Sequence, residues 1–158
     1  MVVHCLAYVG KQNEPLFVHV DPASSGGAMD NVTTSYSTTM YLESIIHASL
    51  DIVEERRSKK STSTNSGTQD MYLGQLFVVE DYRVFAWCSN TQIKTIVVCD
   101  ISTSDVHVKD FIQGLYKLYI QCIQNPFQLT GKSLLLSTSK KFRSDVEQQV
   151  YAYNQANQ

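Results

Sequence analysis

Residues 82–100 constrain the fold more than any other part of the chain. Tyr82 to Cys88 and Ile93 to Asp100 are apolar runs rich in β-branched and aromatic residues, parted only by Ser89-Asn90-Thr91-Gln92. Side chains alternate along a strand. Val84, Ala86 and Cys88 therefore share one face, with Phe85 and Trp87 on the other; in the next run Ile93, Val97 and Cys99 oppose Ile96 and Val98. Strands that are apolar on both faces need cover on both, so the sheet they build has to lie inside a sandwich. Met71 to Val79, joined to Tyr82 through Glu80-Asp81, extends the pair to a three-stranded antiparallel meander.

Helical periodicity supplies the cover. From about Thr38, the residues Leu42, Ile45, Ile46, Ser49 and Val53 recur on one face at about 100° per residue. This first helix runs out in Glu54-Glu55-Arg56-Arg57-Ser58-Lys59-Lys60, where the basic side chains suit the negative end of the helix dipole. A second helix follows Ser102 to Asp105, which have capping-box spacing. It is marked by Phe111, Ile112, Leu115, Leu118, Tyr119 and Cys122 and stopped by Asn125-Pro126. Leu135, Ser139, Phe142, Val146 and Val150 suggest a last helix. Ahead of all these, Val2–Val9 and Leu16–Val20 flank the turn cluster from Gly10 to Pro15 and read as a hairpin.

The predicted order is β-β-α-β-β-β-α-α, an α+β fold with five antiparallel strands, one helix on one face and two on the other. A 158-residue chain with 43% apolar content suits a single domain over residues 1–158. Residues 21–37 and 58–69, rich in Ser, Thr and Gly, read as flexible loops.

The residues offer little chemistry. Thr130-Gly131-Lys132-Ser133 imitates the end of a phosphate-binding loop, but the position five before Gly131 is Pro126 and a helix precedes the motif, where a strand is required. His4, His19, His47 and His107 fall on separate elements, without the spacing of a metal site. Glu80-Asp81 sit at a hairpin tip and fit turn chemistry. Cys5, Cys88, Cys99 and Cys122 lie in apolar segments and read as buried, reduced thiols. A net charge of -2 gives no electrostatic case for nucleic acid. No apolar run approaches the roughly 18 residues of a membrane span. Residues 1–10 read as a strand and not as a signal peptide. The basic group Arg56, Arg57, Lys59 and Lys60 reads as a solvated helix end. No catalytic, cofactor-binding or metal-binding residue is expected.

The outward face of the first helix stands out. Asp51 projects about 180° from Leu42 on the helical wheel, among Ser44, His47, Ala48 and Glu55. Small Ser44 and Ala48 leave a notch that another chain can approach closely. His47 and Asp51, four apart, are spaced to brace each other.

Three blocks carry a resemblance: "HASLDIVEER" on the first helix, "LGQLFVVEDYRVFAWCSNTQIKTIVVCD" across the meander, and "FIQGLYKLYIQCIQNPF" on the second helix. Together they resemble the sedlin branch of the subunits of TRAPP, the transport protein particle, with Leu73-Gly74 and Glu80-Asp81-Tyr82 most similar to the sedlin-like kind. The likeness covers about residues 2–20, 41–57 and 71–128, and 21–37 and 58–69 depart from it as insertions.

The resemblance implies a longin-like fold and a non-catalytic adaptor subunit that contacts other small TRAPP subunits and a large one. It implies an indirect link to a Rab GTPase through the exchange activity of the complex, in ER–Golgi and Golgi traffic. The location implied is cytoplasmic, peripheral to those membranes, and the isolated chain is able to form a homodimer. The family's Ser-Leu-Asp signature falls on Ser49, Leu50 and Asp51, which adds weight to the first helix as a docking surface formed by Ser44, His47, Ala48, Asp51 and Glu55. A longin-type adaptor outside TRAPP is the alternative. A vesicle SNARE is disfavoured because the chain ends in polar Tyr151 to Gln158 with no coiled-coil heptads.

Overall fold

The computed structural model describes residues 2–21, 32–62, 71–102, 105–125, 136 and 139–156. The elements in chain order are β1 (Val3–Val9), β2 (Pro15–Val20), α1 (Val32–Thr62), β3 (Tyr72–Val79), β4 (Tyr82–Cys88), β5 (Lys94–Asp100), α2 (Asp105–Ile123) and α3 (Lys140–Ala156). The strands form one antiparallel sheet in the order β2-β1-β5-β4-β3. The chain thus leaves one edge at β2, passes through α1 and re-enters at the opposite edge. This is the α+β arrangement expected from the periodicities, and it fits the longin-like fold that the resemblance implies.

The alternation read from the sequence sets the two cores. Val84, Ala86, Cys88, Ile96 and Val98 pack with Cys5, Ala7 and Val9 beneath Leu42, Ile45, Ile46, Leu50 and Val53 of α1. Phe85, Trp87, Val97 and Cys99 pack with Leu6 and Tyr8 against α2 and α3. A bulge at His4, between Val3 and Cys5, moves Val3 to the α2/α3 side. The turn at Glu80-Asp81 joins β3 to β4 and holds Glu80 at φ 51°, a left-handed conformation.

The α2/α3 face is closed by aromatic packing and by long-range hydrogen bonds. Tyr8 lies against Phe17, Tyr119 and Phe142, and its hydroxyl donates to the carbonyl of Leu115 at 2.8 Å. Buried Asn154 of α3 accepts from the Val3 amide at 2.9 Å and donates to the Asp21 carboxylate at 2.9 Å.

Several expectations need correction. Residues 32–37 and 58–62, read as loop, belong to α1. Serine and threonine are only mildly unfavourable in a helix, and local contacts carry the C-terminal turn, with Ser58 Oγ donating to the Glu54 carbonyl at 2.9 Å and Lys59 pairing with Glu55 at 2.6 Å. Residues 22–31 and 63–70 lie outside the described residues, as do Leu135 and the Thr130–Ser133 stretch. Ser139 does not face the core. It caps α3, accepting from the Phe142 amide at 3.3 Å. The capping box read from Ser102 to Asp105 spans residues 103–104, which lie outside the described residues; the Asp105 carboxylate accepts from the Tyr72 hydroxyl at 2.8 Å.

Arg56 is not part of a solvated basic face either. Its guanidinium donates to the carbonyls of Leu73, Gln75 and Leu76 at 3.0, 2.6 and 2.9 Å. β3 is bulged at Leu73 and Leu76, which sends both side chains toward α1. Gly74, at φ 73°, makes the first of these distortions possible.

Candidate docking surface

With 31 residues, α1 is roughly 46 Å long. A sheet of five strands is about 20 Å wide and these strands about 25 Å long, so the helix outruns what it covers. Its buried contacts, Leu42 to Val53, occupy the middle of the helix. The opposite face carries Tyr36, Met40, Ser44, His47, Asp51 and Glu55 at spacings of four or three, a single stripe down the helix. All six are exposed, as is Ala48 beside them. The residues expected from the sequence to form a docking surface (Ser44, His47, Ala48, Asp51 and Glu55) therefore all lie on the exposed side of α1. Tyr36 and Met40, 67% and 71% exposed, continue it toward the N-terminus. The sequence reading missed both, Tyr36 because it was assigned to a loop and Met40 because only the core-facing period was followed at the helix start. Helical spacing back from Ser44 is the signal that finds them.

The stripe is graded from apolar Tyr36 and Met40, through small Ser44 and Ala48, to the carboxylates of Asp51 and Glu55. Ser44 Oγ is turned inward, donating to the Tyr41 carbonyl at 2.7 Å, which keeps the middle of the stripe smooth. Glu55 is committed to Lys59, and that hydrogen bond holds its carboxyl below the usual carboxylate range. Glu54, beside the stripe, is committed to Asn13 at 3.0 Å and to buried Lys94 at 3.1 Å, and these contacts lower its pKa as well. Asp51 has no hydrogen-bond or ion-pair partner among the described residues. The expected His47–Asp51 brace does not form: an exposed i,i+4 pair is worth only about 0.3–0.5 kcal/mol, too little to fix two solvated side chains.

The remaining titratable residues serve the scaffold. His4 Nε2 meets Asp100 Oδ1 at 2.5 Å and Tyr82 edge-on at 5.0 Å, tying the start of β1 to the end of β5. His19, on the α3 side of β2, is held below the ordinary imidazole pKa by burial, against the opposing effect of Glu147 and Asp21. His107 is exposed in the first turn of α2. The four cysteines are free. Burial pushes the Cys5 thiol up to about 12, which keeps it protonated and unreactive. Among the described residues no group of three or more His, Cys, Asp or Glu side chains is placed to hold a metal ion, and no helix is long and apolar enough to cross a membrane.

Comparison with known proteins identifies the family. The Sedlin family model matches residues 8–152. A trafficking protein particle complex subunit 2-like protein of Dictyostelium discoideum is 37% identical over 145 residues, 90% of this chain and 91% of the relative. The proteins of the same name from Mus musculus and Xenopus tropicalis are 27% and 28% identical over 130 residues, 80% of this chain and 84% of each relative.

Proposed function

Because the chain belongs to the sedlin family, we propose that it is a non-catalytic adaptor subunit of a trafficking protein particle complex, docked through the outer face of α1. Its partners are other small subunits and a large subunit of that complex. Other subunits supply guanine-nucleotide exchange on a Rab GTPase, and this chain contributes to assembly. It works in the cytoplasm in ER–Golgi and Golgi traffic and reaches those membranes only as part of the complex. In isolation, the same apolar stripe gives it a route to homodimers.

The observation that carries this reading is the α1 stripe, with apolar Tyr36 and Met40 at one end and, toward the other, the exposed Asp51 carboxylate, which has no partner among the described residues. The stripe is pre-formed on a helix anchored by Leu42 to Val53, so docking costs little ordering entropy. Asp51 has a charge to give to a partner's donor. Removing one member of a buried charged pair costs roughly 3–5 kcal/mol, enough to abolish assembly.

Affinity purification of the tagged full-length chain, followed by mass spectrometry, tests the proposal. The wild-type chain recovers trafficking-particle subunits, whereas Asp51→Tyr loses them with an unchanged thermal melt. Undiminished recovery with Asp51→Tyr contradicts docking through this face.

A further inference from the structure

The two edges of the sheet are not alike. At one, β3 is bulged twice and Arg56 occupies the carbonyls of Leu73, Gln75 and Leu76. Bulges and a covering charged side chain blunt an edge against another strand. At the other, β2 pairs with β1 in unbroken register from Phe17 to Val20.

The phase of that ladder determines what β2 offers on its open side. The Asp21 amide donates to the His4 carbonyl at 2.9 Å. Opposed residues in an antiparallel ladder alternate between bonded and non-bonded pairs. Leu6–His19 and Tyr8–Phe17 therefore exchange hydrogen bonds, while Val18 and Val20 turn their N–H and C=O groups away from β1, toward an edge that pairs with no other strand among the described residues.

Next to this edge the described residues cover the sheet incompletely. α1 rests chiefly over β3, β4 and β5. Between α1 and β2 lies a cleft of about 160 Å³, lined by apolar Ala7, Val9, Pro15, Val18, Ile46 and Leu50 together with Asn13, Glu43 and His47. Val18, 37% exposed, borders the cleft with its side chain and the open edge with its backbone. A cleft of this size holds one bulky side chain, since an apolar cavity of about 150 Å³ accepts a benzene ring.

We infer that the β2 edge accepts an extended segment of a partner polypeptide as a sixth strand. The backbone groups of Val18 and Val20 pair with it, one bulky apolar side chain enters the cleft, and a Lys or Arg beside that side chain meets Glu43. Main-chain pairing supplies the affinity, and the alternate side chains supply the selection. The acidic rim favours a basic partner over a second copy of this chain, because Pro15–Val20 carries neither Lys nor Arg. The site meets the α1 stripe at His47 but does not include Asp51.

The test titrates the full-length chain with a labelled, end-capped peptide, Thr-Thr-Lys-Thr-Leu-Thr-Lys-Thr-Thr, whose leucine and both lysines share one face when extended. A control peptide has glutamate in place of each lysine. The lysine peptide is expected to give a saturable anisotropy rise, with amide shifts at Val18 and Val20 in the nitrogen-15 spectrum. Val18→Pro removes only an outward N–H and is expected to weaken binding about tenfold or more. Glu43→Lys, at an exposed position, is expected to weaken the lysine peptide about tenfold and to rescue the glutamate peptide. Asp51→Tyr leaves peptide binding unchanged, so this site and the α1 docking surface fail separately. No binding up to about 1 mM, wild-type affinity in both Val18→Pro and Glu43→Lys, or shifts confined to other surfaces overturns the inference. A homodimer that Val18→Pro dissolves overturns it in favour of a second copy.

Discussion

The two faces of the sheet are covered differently. On one, α2 and α3 lie side by side over an aromatic cluster, and the Tyr8 hydroxyl and the Asn154 side chain tie sheet and helices together. On the other, α1 lies alone, buries its middle and leaves the stripe from Tyr36 to Glu55 in solvent. The same sheet thus has one side built for cohesion and one side built for display. A side chain under α2 and α3 should matter to stability, and a side chain on the outside of α1 should matter only to assembly.

The sharpest way to break this contrast is to truncate one residue of each kind. Phe142 is buried and packs edge-on against both Tyr8 and Phe17 at 5.4 and 5.3 Å. Phe142→Ala should cost about 3–5 kcal/mol in urea denaturation, whereas Met40→Ala should stay within about 0.5 kcal/mol of wild type. Comparable losses from the two would erase the division of labour.

Arg56 marks where α1 does contribute cohesion. Arg56→Ala strips the partner from three carbonyls of β3 and should cost about 1–3 kcal/mol. Hydrogen exchange should quicken in residues 72–77 and be unchanged in β1 and β5.

A smaller effect comes from His19. Burial lowers its folded-state pKa below the unfolded value of about 6.5. The unfolded chain then binds the proton more readily, so this contribution is fully present above pH 6.5 and is lost as pH falls through the folded pKa. Thermal midpoints should drop between about pH 7 and pH 5, and His19→Gln should flatten that slope. A slope of equal steepness in the variant assigns the effect elsewhere.

What was legible in the sequence follows the range over which each signal acts. The face assignments of β4 and β5, and the core positions Leu42 to Val53 of α1, were readable because alternation and helical period are local properties. The ends of α1 were not, because serine and threonine are compatible with both helix and loop, and what holds the C-terminal turn is a pair of side-chain contacts within the helix, Ser58 to Glu54 and Lys59 to Glu55. Ser139 sits at a helical interval from Phe142, which disguised a cap as a core position. Arg56 lies in a basic run, and nothing local in that run announces carbonyl groups about twenty residues further on. On the outer face of α1, the stripe from Ser44 to Glu55 was visible from spacing, while its extension through Met40 to Tyr36 waited on the true start of the helix. The cleft beside β2 joins residues of three elements, so no window of sequence displays it.

Tyr36 on α1 and Tyr151 on α3 provide the most direct measurement, because both are 67% exposed and both react with hydroxyl radicals. Radical footprinting should compare the isolated chain with the chain in its affinity-purified assembly. Display on the α1 side predicts that oxidation of Tyr36 and Met40 falls on assembly and that of Tyr151 holds. Protection of Tyr151, with Tyr36 and Met40 as reactive as in the isolated chain, would contradict it.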